Sequence, residues 1–312
     1  MKLVFLDAKT IGDDIDLSGY ERFGEVVKYR FSKPEEVPQR VTDAEVLIVN
    51  KVPINEQTVG SATKLKLVCV TATGTDNLDK EYLKGRGIAF RNVAGYSTET
   101  VAQHTFALLF YLVEKMPYYD DYVKGEHYIG DTSFTHFDKV FHEIHGKTWG
   151  IIGLGAIGQR VADIAKLFGC QVIYYSTTGK NNQDGYMRVD FDTLLLRSDI
   201  ISVHAPLNEQ TRGLMNGAAF SKMKKEAIFL NLGRGPIVVE QDLAHALCER
   251  EIGAAGLDVL SEEPMSADSP FRRIKDSSRL VITPHIAWAS VEARRRLMKI
   301  IEGQIEEFFG CS

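Results

Sequence analysis

The stretch Lys147-Thr148-Trp149-Gly150-Ile151-Ile152-Gly153-Leu154-Gly155-Ala156-Ile157-Gly158 decides the fold. Its first half reads as a buried strand, and Gln159 to Phe168 beyond it reads as an amphipathic helix. The glycines of Gly153-x-Gly155-x-x-Gly158 each do one mechanical thing. They allow a tight turn, close backbone approach to a pyrophosphate, and tight packing of helix on strand. The anion would rest on unpaired amides at the helix N-terminus, where the helix dipole favours negative charge. A second strand at Cys170–Tyr175 completes the context without which the motif is only a flexible turn.

Around this core the chain has 312 residues, enough for two domains. With 44% hydrophobic and 25% charged residues it has an ordinary globular composition. The net charge of −5 gives no electrostatic footprint for nucleic acid. No apolar run reaches the roughly 18 residues that span a bilayer, and the start, Met1 to Asp7, is too brief for a signal segment. Cys69, Cys170, Cys248 and Cys311 have no CxxC or metal spacing; three of them lie in apolar or helical contexts, which favours small buried hydrophobes, and a reducing cytoplasm fits. His127, His136, His142 and His145 have no metal spacing either. The chain is therefore expected to be cytoplasmic, with no metal, no nucleic acid and no membrane among its partners.

Residues 1 to about 95 alternate strand and helix. Strands are expected at Leu3–Leu6, Val26–Tyr29, Val46–Val49, Leu67–Val70 and Ile88–Arg91, with helices such as Lys33–Val41 and Asn55–Ser61 between them. Apolar runs separated by helices imply parallel strands covered on both faces. Two loops at strand ends stand out, Asn50-Lys51-Val52-Pro53 and Thr71-Ala72-Thr73-Gly74-Thr75-Asp76-Asn77. Ligands bind open α/β sheets at such carboxyl ends, although Asp76 and Asn77 can equally cap the following helix. A long helix is expected over about Thr98–Asp121. The aromatic segment Tyr118–His145 suggests an arm packed on a partner subunit. From Gly146 to about His285 strands and helices alternate again, with strands at Ile200–His204, Ala227–Asn231, Ile252–Asp258 and Leu280–Thr283. A final helix, Glu292–Phe309, carries Arg294-Arg295-Arg296, read as a solvated face, and returns to the first domain. The expectation is residues 1–97 with 287–312 as a substrate domain and residues 98–286 as a dinucleotide domain.

Three polar residues follow strand ends of the second domain: Arg234, Glu263 and His285. Parallel strands place such loops on one edge, so the three can converge. Histidine is the natural general acid/base near neutral pH, a neighbouring carboxylate fixes its tautomer, and arginine holds a carboxylate through two hydrogen bonds. This set suits hydride exchange between a 2-hydroxy acid and a nicotinamide cofactor.

The Thr-Gly-Thr-Asp-Asn loop, Val101-Ala102-Gln103, the glycine fingerprint, His204-Ala205-Pro206-Leu207, Asn-x-x-Arg-Gly, Asp-Val…Glu-Pro and Thr-Pro-His together carry a resemblance: over essentially its full length the chain resembles the D-isomer-specific 2-hydroxyacid dehydrogenase family. It implies an α/β fold with a Rossmann cofactor domain inserted into a flavodoxin-like substrate domain. It implies catalytic roles for Arg234, Glu263 and His285. It also implies NAD(P) contacts at Val101, Gly153, Gly155, Ala156, Ile157, Gly158, His204, Ala205, Pro206, Leu232, Gly233, Arg234, Asp258 and His285, and a homodimer. Substrate contacts would be Thr73, Gly74, Arg234 and His285, with Lys51, Val52 and Trp288 forming a pocket for a C3 acid as in glycerate dehydrogenase/hydroxypyruvate reductase members. Where NAD-preferring members have an acid after the second strand, this chain has Ser176-Thr177-Thr178-Gly179-Lys180. Ser176, Thr177 and Lys180 can take a 2′-phosphate, so NAD and NADP both stay open. With no regulatory extension expected after Ser312, a serine-sensitive phosphoglycerate dehydrogenase is disfavoured. The alternatives are a D-lactate or branched D-2-hydroxyacid dehydrogenase and, in another class, a cofactor-sensing corepressor-like interaction protein.

Overall fold

The computed structural model describes residues 1–310, and Cys311 lies outside them. The chain divides into two compact units, residues 1–97 with 289–312 and residues 98–288. Residues 287 and 288, expected in the first unit, belong to the second.

The first unit carries β1 (Lys2–Phe5), β2 (Glu25–Lys28), α1 (Val37–Arg40), β3 (Val46–Val49), α2 (Glu56–Val59), β4 (Leu67–Val70), α3 (Lys80–Gly85) and β5 (Ala89–Arg91). All strands are parallel, in the order β2-β1-β3-β4-β5, the doubly wound flavodoxin-like arrangement. Every residue of β3 and β4 is buried, as strands covered on both faces require. The expected helix Lys33–Val41 is a 3-10 turn, Pro34–Glu36, followed by the single turn of α1. The α3 cap is Asp79, which accepts the Tyr82 amide at 3.0 Å, and neither Asp76 nor Asn77 takes that role.

The second unit begins with α4 (Thr98–Val113) and α5 (Met116–Lys124), two helices where the sequence reads as one. Lys115 breaks them in the left-handed region at φ 53, just before Pro117 in the first turn of α5. Then follow β6 (Thr148–Ile152), α6 (Ala156–Leu167), β7 (Gln171–Tyr175), β8 (Met187–Arg188), α7 (Phe191–Arg197), β9 (Ile200–Val203), α8 (Gly217–Phe220), β10 (Ile228–Asn231), α9 (Glu240–Cys248), β11 (Ala254–Leu257) and β12 (Leu280–Ile282). The seven parallel strands run β12-β11-β10-β9-β6-β7-β8, a Rossmann order reversing at β6. Successive side chains go to opposite faces. Ile152, Ile201 and Phe229 pack beneath α7 to α9, whereas Ile151, Ile200 and Leu230 join Val101, Leu108 and Leu112 of α4. The edge strand β8 has no counterpart in the sequence reading, because both its residues are exposed.

The last helix, α10 (Val291–Phe309), belongs to the first unit and is capped by Ser290. Its arginines are not simply a solvated face. Arg294 donates to both carboxylate oxygens of Asp14, at 2.6 and 2.8 Å, and to the carbonyls of Ile11 and Ala289. Arg296 donates to the Tyr96 carbonyl, and only Arg295 is an exposed cation without such a contact. Tyr20 completes the anchoring through a 2.7 Å bond to the Met298 carbonyl. Of the described cysteines, Cys69 and Cys170 are buried as expected, but Cys248 is exposed at the end of α9.

Candidate active site

One edge of the second sheet gathers the strand-end turns. Backbone bonds continue past the strands: Gly153 donates to Tyr175, His204 to Ile152, Leu232 to Val203, Asp258 to Asn231, and His285 to Asp258. The turns are also locked by contact. A Cβ on Gly153, whose φ is +91°, would stand 2.8 Å from Ala205 Cα, and one on Gly233 would stand 2.9 Å from the Ala205 carbonyl. Ala205 is thus wedged between the fingerprint turn and the turn carrying Leu232 and Gly233.

The fingerprint has the form a dinucleotide needs. Gly158 packs its bare Cα against β6, since a Cβ there would lie 2.3 Å from the Gly153 carbonyl oxygen. Gly155 faces open space, with nothing within 4 Å of a Cβ built on it. No side chain caps α6, so its first-turn amides, at Ala156 and Ile157, are left for an anion. At the end of the neighbouring strand β9, His204 accepts or donates at 3.0 Å to Ser202 Oγ, which Trp149 Nε1 also reaches. Burial pushes the His204 pKa down to about 3 and keeps the ring neutral, while its buried Nδ1 has no partner among the described residues. A cradle that any side chain would fill, together with an orphaned buried nitrogen, fits an NAD(P) molecule.

Further along the edge, Asn231 shapes the Arg234 turn by accepting the Gly233 amide and donating to the Arg234 carbonyl. Gly235 then meets the next loop so closely that a Cβ would overlap the Leu260 carbonyl carbon at 1.9 Å. That loop bears Glu263, whose Oε1 accepts the Leu260 amide at 3.0 Å and whose Oε2 lies 2.7 Å from His285 Nδ1. The carboxylate can only accept here, so Nδ1 carries the proton of the neutral ring and Nε2 is the free acid/base position.

His285 itself is held at φ +55°, a strained conformation for a residue with a Cβ. Asp258, only 2% exposed, holds it there. One Asp258 oxygen accepts Thr283 Oγ1 at 2.6 Å and the Ile286 amide at 2.9 Å, and the other accepts the Ala287 amide at 2.9 Å. The resemblance implies a cofactor contact at Asp258, and in the structure both its oxygens also hold the His285 turn. His104 of α4, which the sequence reading passes over, bonds Thr283 Oγ1 at 3.0 Å, and burial lowers its pKa. Its only sequence signal is a polar residue within an apolar helical run.

Other predicted contacts are placed as follows. Val101 is a core residue of α4, and Trp288 packs partly buried on the same cluster. Ser176 is 5% exposed, and its hydroxyl accepts the Asn181 amide, so it shapes its own loop. Thr177 is half-buried, and Pro206 and Lys180 are exposed. In the first unit, Lys51 is exposed and Val52 is buried with its amide turned towards Asp7. Thr73 Oγ1 donates to the Val93 carbonyl at 2.9 Å, beside a half-buried Gly74. Asp7, which the sequence reading does not single out, is 6% exposed and accepts the amides of Asn50 and Lys51 at 2.9 and 2.7 Å. Burial raises its pKa against the pull of those amides.

The family model described as D-isomer specific 2-hydroxyacid dehydrogenase, NAD binding domain, matches residues 106–287. The chain belongs to the D-isomer-specific 2-hydroxyacid dehydrogenase family. It is 36% identical to a hydroxypyruvate reductase of Blautia hydrogenotrophica, covering 99% of this chain and 97% of that protein. It is likewise 36% identical to a glycerate dehydrogenase of Methylorubrum extorquens, over 98% of this chain and 96% of the other. Among solved structures, an acyclic imino acid reductase in complex with NADPH and D-Arg superimposes with a TM-score of 0.88 at 31% identity, covering 99% of this chain and 97% of that one. The protein is therefore an oxidoreductase acting on CH–OH groups with an NAD(P) cofactor. Among the described residues no helix is long and apolar enough to cross a membrane, and no group of side chains forms a metal site.

Proposed function

We propose that this dehydrogenase reduces a small 2-oxo acid of the hydroxypyruvate or glyoxylate type to its D-2-hydroxy acid, with His285 as general acid. The observation that carries this reading is the 2.7 Å bond between His285 Nδ1 and Glu263 Oε2 on a strained, braced turn. The bound dinucleotide supplies the hydride. Arg234 holds the substrate carboxylate and draws electron density from the 2-oxo group. His285 delivers the proton to the carbonyl oxygen from Nε2, and Glu263 stabilises the imidazolium and fixes the ring plane. In the oxidative direction the same ring accepts the hydroxyl proton. In the first unit, Thr73, Gly74, Lys51 and Val52 are the proposed substrate contacts, and Trp288 is proposed to close off longer side chains.

The named activities of the two 36%-identical relatives favour a hydroxylated C3 acid, hydroxypyruvate or glycerate, over lactate-type or branched substrates. The pairing partner is proposed to be a second copy of the chain, covering the segment after α5, where Phe134 is 92% and Phe137 78% exposed. Light scattering on purified protein that returns a monomer would remove that element. The substrate reading is tested by following NADH and NADPH absorbance with hydroxypyruvate, glyoxylate, pyruvate and 2-oxoisocaproate. The highest kcat/KM is expected with hydroxypyruvate or glyoxylate, and a preference for 2-oxoisocaproate would overturn it.

A further inference from the structure

The turn after β7 contains no arginine in sequence, yet the fold supplies one. Edge strand β8 pairs in parallel with β7 so that Arg188 stands opposite Tyr174. Its guanidinium is thereby carried over the turn that leaves β7, with Nη2 3.7 Å from where a Cβ on Gly179 would stand. Arg22, Arg30, Arg40, Arg160 and Arg294 each pair with a carboxylate. Arg188 and Lys180 make no hydrogen bond or ion pair through their side chains among the described residues. Two unpaired cations therefore flank one short turn.

We propose that Arg188, with Lys180, forms the 2′-phosphate site of the cofactor and makes the enzyme select NADPH over NADH. The proposal rests on the dinucleotide assignment made above and adds to it the residue that discriminates. The location follows from topology. In a Rossmann sheet the cofactor ribose lies at the carboxyl end of the strand after the fingerprint, which here is β7, and an acid there holds the ribose hydroxyls of NAD. From Ser176 to Lys180 there is no acid. The Ser176 hydroxyl is engaged by the Asn181 amide, and Thr178 Oγ1 accepts the Lys180 amide, so neither is set up to replace that acid. A cleft of about 590 Å³ opens at this point, lined by Tyr175, Arg188, Val189, Asp190 and Thr193. The one carboxylate in that lining, Asp190, is engaged in capping α7, accepting the Thr193 amide at 2.8 Å and its hydroxyl at 2.7 Å. A planar guanidinium suits a phosphate through paired N–H donors, and a monoester carries close to two negative charges at neutral pH.

The test is a binding measurement on the full chain that needs no turnover. Calorimetric titrations would use 2′,5′-ADP, 5′-AMP, NADPH and NADH with the native protein and with Arg188→Ala and Arg188→Glu. Arg188 is exposed and unpartnered, so neither change threatens folding. The native protein is expected to prefer 2′,5′-ADP to 5′-AMP and NADPH to NADH. Arg188→Ala should weaken NADPH and 2′,5′-ADP about ten- to a hundredfold, the scale of a lost charge-assisted bond, and leave NADH and 5′-AMP unchanged. Arg188→Glu should weaken the phosphorylated pair further, and added salt should erode only that pair. Equal affinity of the native protein for NADH and NADPH, or equal weakening of both in the variants, overturns the proposal. Selective NADPH binding without reduction of any 2-oxo acid would instead sink the substrate reading and leave the 2′-phosphate site standing.

Discussion

Asp258→Asn offers a sharp separation between holding the cofactor and holding the histidine. The variant keeps the shape but replaces one acceptor oxygen by an NH₂ group. If the amide oxygen stays with Ile286, the Ala287 amide faces N–H, and the reverse placement orphans Ile286. Either way one buried backbone donor loses its acceptor, at about 1–3 kcal/mol, and the bonds that remain lose their charge assistance. Meanwhile His285 at φ +55° carries a left-handed penalty of roughly 1–2 kcal/mol, which this network helps to hold in place beside the His285 amide bonds to the Asp258 and Thr283 carbonyls. The two magnitudes are similar, so the turn should relax and carry the imidazole away from its position. A displacement near 1 Å lowers turnover by about 10²-fold. We expect kcat to fall on that scale while the dissociation constant of the reduced cofactor stays unchanged, because the Asp258 side-chain bonds go to Thr283, Ile286 and Ala287 and not to the fingerprint turn. The assays are steady-state kinetics and a fluorescence titration of the dinucleotide, with urea unfolding to confirm the lost stability. A variant with reduced stability but native kcat would refute the positioning argument. A cofactor affinity that falls in step with kcat would show that Asp258 contacts the cofactor as well.

Other expectations follow from single distances. His285→Ala should lose roughly 10²- to 10⁴-fold in kcat, the usual scale of acid–base assistance, and unchanged turnover would take His285 out of the mechanism. Gly158→Ala drives a methyl to 2.3 Å from the Gly153 carbonyl oxygen, so dinucleotide affinity and stability should fall together, and a variant that binds normally would show that the turn adapts. Asp7→Asn disturbs the acceptor beneath the Lys51 loop and should raise KM more than it lowers kcat; a change confined to kcat would contradict this. Burial raises the Asp7 pKa above its ordinary 3.8, so the folded state binds the extra proton. Its contribution to stability is full below 3.8 and is lost as pH rises through the raised value. Native minus Asp7→Asn stability, from urea unfolding, should therefore shrink as pH rises across that interval, and a difference that grows would reverse the sign.

The two sheets were legible because parallel strands buried on both faces are continuous apolar runs, as in Val46–Val49 and Leu67–Val70. The trio Arg234, Glu263 and His285 was legible as polar residues just past such runs. What escaped has a common cause in distance and exposure. Strand β8 has no apolar signal, since Met187 and Arg188 are both exposed, and with it went the arginine that the fold returns to the β7 turn. Asp7 serves a loop 43 residues away, and Asp258 serves one 28 residues away, pairings that only the sheet order creates. The break between α4 and α5 had a local signal in Pro117, which disfavours helix just before it, but the apolar periodicity outweighed it. Arg294 looked solvated because Asp14, its partner, lies at the far end of the sequence.

That His285, Glu263 and Arg234 turn a 2-oxo acid into a D-hydroxy acid with a reduced nicotinamide as hydride donor is tested most directly on the product. The purified chain would be incubated with hydroxypyruvate and NADPH or NADH, and the glycerate resolved by chiral chromatography. The account predicts D-glycerate alone, formed in step with cofactor oxidation in the native protein and lost in His285→Ala. L-glycerate, a racemic product, or no cofactor oxidation would contradict it.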